Sequence, residues 1–161
     1  EGLVGSEMCI RDRSNILPRG RRMKDEKSLF TRIIEGEIPS FKIFENEHVY
    51  SFLDINPASY GHTLVVPKEP ASSLHELSDE SAAELGKALA RISRSILEVT
   101  GVTNYNVIQN NGSEAGQTVF HVHFHIIPRY SDSNHELTWP TGHLDNEDAL
   151  ELAHKISKSI I

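Results

Sequence analysis

The sequence has little of several features that mark whole classes of protein. Its 161 residues contain a single cysteine, Cys9, which excludes an internal disulfide and a cysteine-based zinc finger. No stretch approaches the roughly 18 consecutive apolar residues of a membrane-spanning helix, and no apolar signal segment lies near the start. We therefore expect a protein of a reducing compartment, the cytoplasm, without a membrane partner.

An excess of positive charge is also missing. Lys and Arg number 16 against 23 Asp and Glu, which gives a formal net charge of -7 with His neutral. General nucleic-acid binders usually present a basic face, so we do not expect a nucleic-acid partner. The length, with 38% hydrophobic residues, fits one globular domain.

Residues 1–22 show no sustained periodicity and end in a basic cluster before Met23. We expect them to be a disordered or non-native N-terminal extension. A targeting arm is the alternative, but Glu1, Glu7 and Asp12 oppose it because transit peptides contain few acids. Residues 23–161 would then form a single domain with a C-terminal tail and helix.

Apolar periodicity and turn signals predict an α+β fold. Strands are predicted at residues 42–45, 49–53, 62–66, 105–108 and 121–127. A short helix should follow Ser28 and end near Gly36, and a long helix should run from the cap Ser78 to Gly101. The inward stripe of the long helix is predicted as Ala82, Leu85, Leu89, Ile92, Ile96 and Val99.

A last helix is predicted at residues 146–160 from a similar three- and four-residue spacing of apolar positions. Its predicted inward residues are Ala149, Leu150, Ala153, Ile156 and Ile160.

Histidine is present in an unusual pattern. His121, His123 and His125 alternate with large apolar residues in the predicted strand 121–127. Because successive strand side chains point to opposite faces, this pattern puts three imidazoles on one face. Packing does not call for imidazole at polar strand positions, whereas imidazole acts as base, nucleophile or metal ligand near neutral pH. We predict one functional site on this strand.

Three imidazoles on one face fit either a metal site or metal-free chemistry on a phosphate, with one ring as the nucleophile. The loop 109–118 before the strand is polar and contains two glycines. Its backbone N–H groups can bind phosphate oxygens. No acidic residue lies between Ala115 and Tyr130 to act as the base for a hydrolytic zinc, so the loop favours phosphate chemistry.

Several motifs, in register over about residues 28–130, resemble the Hint-like branch of the histidine triad (HIT) superfamily. The motifs are Phe30, Ile33-Ile34, and the segments 36–39, 52–55, 61–68, 116–119 and 121–127. The resemblance implies a HIT-like α+β fold with an antiparallel sheet of about five strands, a long helix and a short N-terminal helix. It also implies a homodimer formed through the long helix and the strand after it.

The resemblance implies hydrolysis or transfer at the α-phosphate of purine nucleoside phosphoramidates, carrying an AMP or GMP moiety. His123 would attack and form a nucleotidyl-histidine intermediate, and His125 would lie at the phosphate or leaving group. His121 and His62 would orient the nucleophile, and Thr118 would assist the leaving group. A dinucleoside polyphosphate hydrolase is one alternative. A nucleotide-binding or partner-binding protein with incidental hydrolysis is another.

The resemblance also implies the nucleotide-binding residues. Asp54 would hold the ribose hydroxyls, although it could instead cap the turn at Asn56-Pro57. The phosphate would be bound by Asn110, Gln117 and Thr118, with backbone N–H groups near Gly116. The base would be enclosed by Phe30, Ile33, Phe52, Ile55 and Leu64.

No cofactor is expected. Many bacterial relatives carry two cysteines and a histidine that bind structural zinc, and this sequence has Ser28, Thr31 and Pro70 at those positions. We therefore predict no structural zinc.

Overall fold

A computed structural model describes residues 26–132 and 137–161. The predicted extension at residues 1–22 lies outside the described residues. The elements are α1 Leu29–Ile34, β1 Lys42–Glu45, β2 Val49–Leu53, β3 Thr63–Pro67, α2 Asp79–Thr100, β4 Asn104–Gln109, β5 Phe124–Arg129 and α3 Asn146–Ser159, with single 3₁₀ turns at Leu74–Glu76 and Ser113–Ala115. None of the helices in the described ranges is both long and apolar enough to span a membrane.

The five strands form one antiparallel sheet in the order β1-β2-β3-β5-β4. This confirms the predicted α+β fold. The hairpin from β1 to β2 is closed by Asn46, whose side-chain oxygen accepts hydrogen bonds from the backbone of His48 and Val49. The strand β5, which contains His125, lies between β3 and β4, so the sheet holds it from both sides.

Helix α2 covers one face of the sheet. Ser78 caps its start and Gly101, with φ of 74°, ends it, as predicted. Leu85, Ile92 and Ile96 pack against sheet residues that include Val49, Val65 and Ile126. Ala82 and Val99 were predicted to face inward but are exposed. Ser81, in the same turn as Ala82, is buried, so the covered side of the first turn is that of Ser81, and Val99 lies in the last turn, beyond the last buried residue, Ile96.

Helix α1 belongs to a second core cluster, which contains Phe30, Ile33, Phe52, Leu64 and Val66. Leu64 and Val66 alternate along β3 with Val65, which packs in the α2 cluster instead. This alternation is that of a strand with both faces covered. Ser28 caps α1 by accepting a hydrogen bond from the Thr31 backbone at 3.0 Å.

The predicted inward face of the last helix is wrong. Helix α3 forms close to its predicted bounds, but it has no buried residue. Leu150 and Ile160 are each 74% exposed and Ile156 is 53% exposed. The apolar spacing therefore predicted the helix correctly, but within the described residues no surface of the same chain covers it.

The histidine strand begins later and ends later than predicted. Only His125 of the three histidines lies in β5. Before Phe124 the chain leaves β3, and the Val122 backbone donates instead to the carbonyl of Ala71 at 2.8 Å. β5 also continues through Pro128. It pairs with β3 only as far as Ile126, so beyond that residue one of its edges is free to accommodate proline.

Candidate active site

His123 has one ring nitrogen committed and one free. Its Nδ1 lies 2.7 Å from the carbonyl oxygen of His121, and because a carbonyl can only accept, Nδ1 must carry the proton. Nε2 is then unprotonated in the neutral ring. Every fully buried side-chain nitrogen or oxygen in the described part of the chain has a hydrogen-bond partner. Among the described residues Nε2 has none, so this nitrogen has some surface accessible to solvent although the residue is only 5% exposed.

His121 is a buried residue held from both ring nitrogens. Its Nε2 donates to the carbonyl of Pro67 at 2.8 Å, which leaves Nδ1 as an acceptor. The hydroxyl of Ser28 lies 2.7 Å from this Nδ1 and the hydroxyl of Thr31 lies 3.5 Å from it. The contact of His121 with the predicted nucleophile is made by its backbone carbonyl and not by its ring.

His62 and His125 form a directed pair. The backbone N–H of Ala58 donates to Nδ1 of His62 at 3.0 Å, so the proton of the neutral His62 ring is on Nε2. That Nε2 lies 2.9 Å from Nδ1 of His125, which must accept. The proton of His125 is therefore on its Nε2. The expectation that His62 orients His123 is wrong, because its ring contact is with His125.

The rings of His123 and His125 adjoin each other, with centroids 5.1 Å apart. His123 presents a lone pair on Nε2, whereas His125 presents an N–H on Nε2. An attacking group and a hydrogen-bond donor therefore stand side by side. This pairing suits attack on a phosphorus whose oxygens or leaving group need a donor.

Burial lowers the pKa of all four imidazoles. With the nearby positive charge of Arg129, it lowers the pKa of His62 to about 4. Together with His123 and His62, it lowers the pKa of His125 to about 3. The pKa values of His121 and His123 are also below their usual range, chiefly through burial, although hydrogen bonds to carbonyls act in the opposite sense. At pH 7 the rings are therefore neutral, and the lone pair of His123 is available.

Asp54, His62 and His125 bring three potential metal-ligand atoms within 4.8 Å of one another. The hydrogen bonds in this group oppose metal binding. Nε2 of His62 would need a free lone pair, but the Ala58 N–H occupies Nδ1 and places the ring proton on Nε2. The residues that are close enough to hold a metal therefore have the wrong protonation pattern for it.

Asp54 lies at the end of β2 beside this pair. Its Oδ1 accepts from the Asn56 backbone at 2.9 Å, which is the turn-capping contact weighed as an alternative. Its Oδ2 lies 3.8 Å from Nε2 of His62. Burial raises the pKa of the carboxyl, and the Asn56 hydrogen bond partly offsets this. The turn therefore uses one oxygen and leaves the other beside the histidine pair.

The loop before the histidines splits the predicted phosphate-binding residues into two groups. Gln117 is buried, and its amide donates to the carbonyls of Ser72 and Val119 while its oxygen accepts from Gly112. Its side chain is fully occupied in bracing the loop, so the prediction that it binds phosphate is not supported. In the described part of the chain the side chains of Asn110 and Thr118 have no hydrogen-bond partner, and both are partly exposed.

Gly116 has a positive φ of 91°, and a Cβ there would lie 3.7 Å from the Asn110 amide nitrogen. Glycine therefore permits the turn that precedes Gln117.

Four of the five residues predicted to enclose the base are core residues. Phe30, Ile33, Phe52 and Leu64 are at most 2% exposed, so they cannot form an open wall. Ile55 is partly exposed and packs against their cluster. Ile55 therefore stays a candidate for contact with the base, and the other four residues belong to the core cluster on which it packs.

Comparison with known proteins identifies the family. A model described as the HIT domain matches residues 35–132, more than half of the chain. The chain belongs to the HIT family. The resemblance seen in the sequence is thereby confirmed.

Full-length relatives in the HIT family are similar over most of this chain. The Bacillus subtilis protein named Protein hit is 41% identical over 139 residues, which is 84% of this chain and 95% of that protein. Adenosine 5'-monophosphoramidase hnt1 of Schizosaccharomyces pombe is 43% identical over 133 residues, which is 82% and 97% of the two chains. A crystal structure of a HIT family member from Bacillus subtilis has a TM-score of 0.79 at 40% identity and covers 84% of this chain and 99% of that one.

Three groups that hold this HIT-family site in place were not predicted in that role. The N–H of Ala58 and the carbonyl of Pro67 fix the protons of two imidazoles, but main-chain groups leave no trace in residue type. Ser28 was predicted as a helix cap, and its contact with His121 spans 93 residues. The only local signal was its position two residues before Phe30, whose ring contacts both His121 and His123.

Proposed function

We propose that this HIT-family enzyme hydrolyses purine nucleoside phosphoramidates, with Nε2 of His123 attacking the α-phosphorus. The observation that carries the proposal is the free, unprotonated Nε2 of His123, fixed by the bond from Nδ1 to the His121 carbonyl. The relative named adenosine 5'-monophosphoramidase matches nearly its whole length to this chain. In the first step the bond from Nε2 to phosphorus forms, the phosphorus–nitrogen bond breaks, and the amine leaves with its electron pair.

His125 would serve the leaving group or the phosphate. In the neutral pair its Nε2–H is a donor, because His62 donates to its Nδ1. An anionic phosphate beside this ring favours its charged form, in which solvent adds a second proton at Nδ1 and the hydrogen bond from His62 is broken. The Nε2 proton can then pass to the departing amine, which leaves His125 neutral. In the second step water attacks the phosphorus, and the bond from phosphorus to His123 breaks.

The remaining contacts with the nucleotide would be made by site groups that the fold does not already use for its own hydrogen bonds. Asn110, Thr118 and the backbone around Gly116 would bind phosphate oxygens, since the Gln117 side chain is occupied. Oδ2 of Asp54 would accept a ribose hydroxyl, while Oδ1 keeps the turn. Ile55 would contact the purine. Thr118 would also assist the leaving group.

A two-substrate panel tests the proposal. Steady-state rates should be measured with adenosine 5'-phosphoramidate and with a diadenosine polyphosphate at equal concentrations, and the products should be identified. We expect kcat/KM for the phosphoramidate to exceed that for the dinucleotide by at least about tenfold, which is a difference of about 1.4 kcal/mol in transition-state binding.

A kcat/KM that is higher for the diadenosine polyphosphate than for the phosphoramidate would indicate a dinucleoside polyphosphate hydrolase instead. Trace turnover of both substrates together with tight AMP binding would indicate a nucleotide-binding protein and contradict the proposal. A parallel series with guanosine compounds measures the preference for the base.

We also propose that the chain is a homodimer joined through α2 and β4. β4 is an edge strand, so one row of its backbone groups has no partner strand in the part of the chain that the structure describes. Tyr105 and Val107 on it are 40% and 45% exposed, and Val99 at the end of α2 is 84% exposed. Light scattering at micromolar concentration should give twice the chain mass, and Val107→Glu should lower it. A monomeric mass for the unmodified chain would contradict this proposal.

A further inference from the structure

We infer that Ser28 is a positioning residue for the nucleophile and that it acts through His121. The inference rests on the proposed function only in taking His123 as the attacking group. Ser28 lies 93 residues before His121 and also caps helix α1. The helix cap and the support of the nucleophile would thus depend on the same hydroxyl.

The hydrogen bonds around Ser28 assign the direction of each donor. Its oxygen accepts from the Thr31 backbone N–H at 3.0 Å. His121 already donates from Nε2 to the Pro67 carbonyl, so its Nδ1 needs a donor. The Ser28 hydroxyl, 2.7 Å away, supplies that hydrogen. Ser28 therefore accepts from the helix and donates to the imidazole.

The contact reaches the nucleophile through one further bond. The His121 carbonyl accepts from Nδ1 of His123 at 2.7 Å, and this bond keeps Nε2 of His123 unprotonated. His121 is 1% exposed, so no water can replace a lost donor without a rearrangement. A buried acceptor without a partner is costly, and a shift of the His121 ring to find one would move the carbonyl that holds His123.

The neighbouring side chains tie the same elements together. The Phe30 ring meets His123 edge-on at 4.9 Å and His121 at 6.0 Å between centroids. The Thr31 hydroxyl lies 3.0 Å from the Ser28 hydroxyl and 3.5 Å from Nδ1 of His121. The first turn of α1 therefore faces the supporting histidine with two hydroxyls, of which Ser28 is the nearer.

Three substitutions separate the two roles of Ser28. Ser28→Thr keeps both the cap acceptor and the hydroxyl donor. Ser28→Asp keeps a good cap acceptor but offers no hydrogen to Nδ1 of His121. Ser28→Ala loses both, and Thr31 can then replace part of the donor. A role limited to capping therefore predicts that the aspartate variant behaves like the parent chain.

The test measures kcat and KM for adenosine 5'-phosphoramidate and the ¹⁵N chemical shifts of the His121 ring. We expect Ser28→Asp to lower kcat by at least about tenfold, the scale at which small misplacements of reacting groups are felt, with KM changed by less than about twofold. Its His121 Nδ1 signal should lose the shift of a hydrogen-bonded acceptor, because the carboxylate offers the lone pair no hydrogen. Ser28→Thr should retain kcat within about threefold.

Ser78 provides the matched control. It caps α2 through the same contact, accepting from the Ser81 backbone at 3.2 Å, but it has no contact with a histidine of the site. Its hydroxyl also donates to the Glu69 carboxylate at 2.6 Å, so the control is Ser78→Asn, whose side chain caps the helix without adding a charge beside Glu69, and it should leave kcat and the His121 signals unchanged. If Ser28→Asp keeps both parental kcat and the parental His121 signals, Ser28 is only a cap and the inference is overturned.

The ring signals also separate this inference from the proposed function. If the chain had no phosphoramidase activity, the His121 shift in Ser28→Asp would still report the hydrogen bond, and the His123 signals would show whether its Nδ1 bond is disturbed. Unchanged His123 signals in that variant would overturn the positioning role. If His123 were not the nucleophile, its own substitution would reveal this without involving Ser28.

Discussion

Replacing His123 by alanine is expected to lower turnover of adenosine 5'-phosphoramidate by at least about 10³-fold, as loss of a covalent nucleophile does in other enzymes. In the parent chain, Nε2 of His123 is the one nitrogen of the four site imidazoles that is unprotonated and has no hydrogen-bond partner among the described residues. In the neighbouring His125, the corresponding atom Nε2 carries a proton and can only donate. None of the other three site imidazoles can therefore attack unless its proton moves from one ring nitrogen to the other.

The control for this experiment must show that the fold and the nucleotide site survive. His123 packs against Phe30, so thermal unfolding and AMP binding should be compared between the variant and the parent chain. His154→Ala, at an exposed position on α3, should have full activity. Substantial turnover by a folded His123→Ala variant would mean that water attacks the substrate directly.

Replacing His125 by glutamine should lower turnover of the phosphoramidate by about 10²-fold, which is the lower end of the contribution of a general acid. Glutamine can still donate a hydrogen bond but cannot carry a proton to the amine. The loss should be much smaller for a nucleoside p-nitrophenyl phosphate, because p-nitrophenolate leaves without a proton. The comparison of the two substrates thus isolates proton transfer from binding.

An equal loss on both substrates would show that His125 acts on the phosphate rather than on the leaving group. His62→Gln is the informative companion variant. Nε2 of His62 fixes the tautomer of His125 through their 2.9 Å contact, and a glutamine amide can supply the same hydrogen. We expect this variant to lose less activity than His125→Gln on the phosphoramidate.

Much of the fold could be predicted because local rules and packing agree. The α2 helix has Ser78 at its start, Gly101 at its end, and an apolar stripe whose middle faces the sheet. The prediction failed for α3, where the same type of stripe meets no surface of the described chain. Apolar spacing shows that a helix has a face to bury, but it does not show whether the same chain supplies the cover.

The types of residue in the site could be predicted, but their partners could not. The alternation of histidines indicated a site, and the resemblance supplied a role for each ring. The contacts of His62 and His121 could not be predicted, because a backbone N–H, a backbone carbonyl and the distant Ser28 determine which of their ring nitrogens carry protons. Gln117 looked suited to phosphate from its type and position. Its amide is instead used by carbonyls that the fold brings to it.

The central claim is that His123 carries the nucleotide during turnover, and the most direct measurement is mass spectrometry of the trapped intermediate. The enzyme should be mixed with adenosine 5'-phosphoramidate, quenched within milliseconds in alkaline denaturant, where phosphorus–nitrogen bonds to histidine survive, and digested for peptide mapping. The account predicts one adenylyl group on His123 in the parent chain and none in His123→Ala. An adduct on His125, or no adduct during a turnover whose rate-limiting step is hydrolysis of the intermediate, would contradict it.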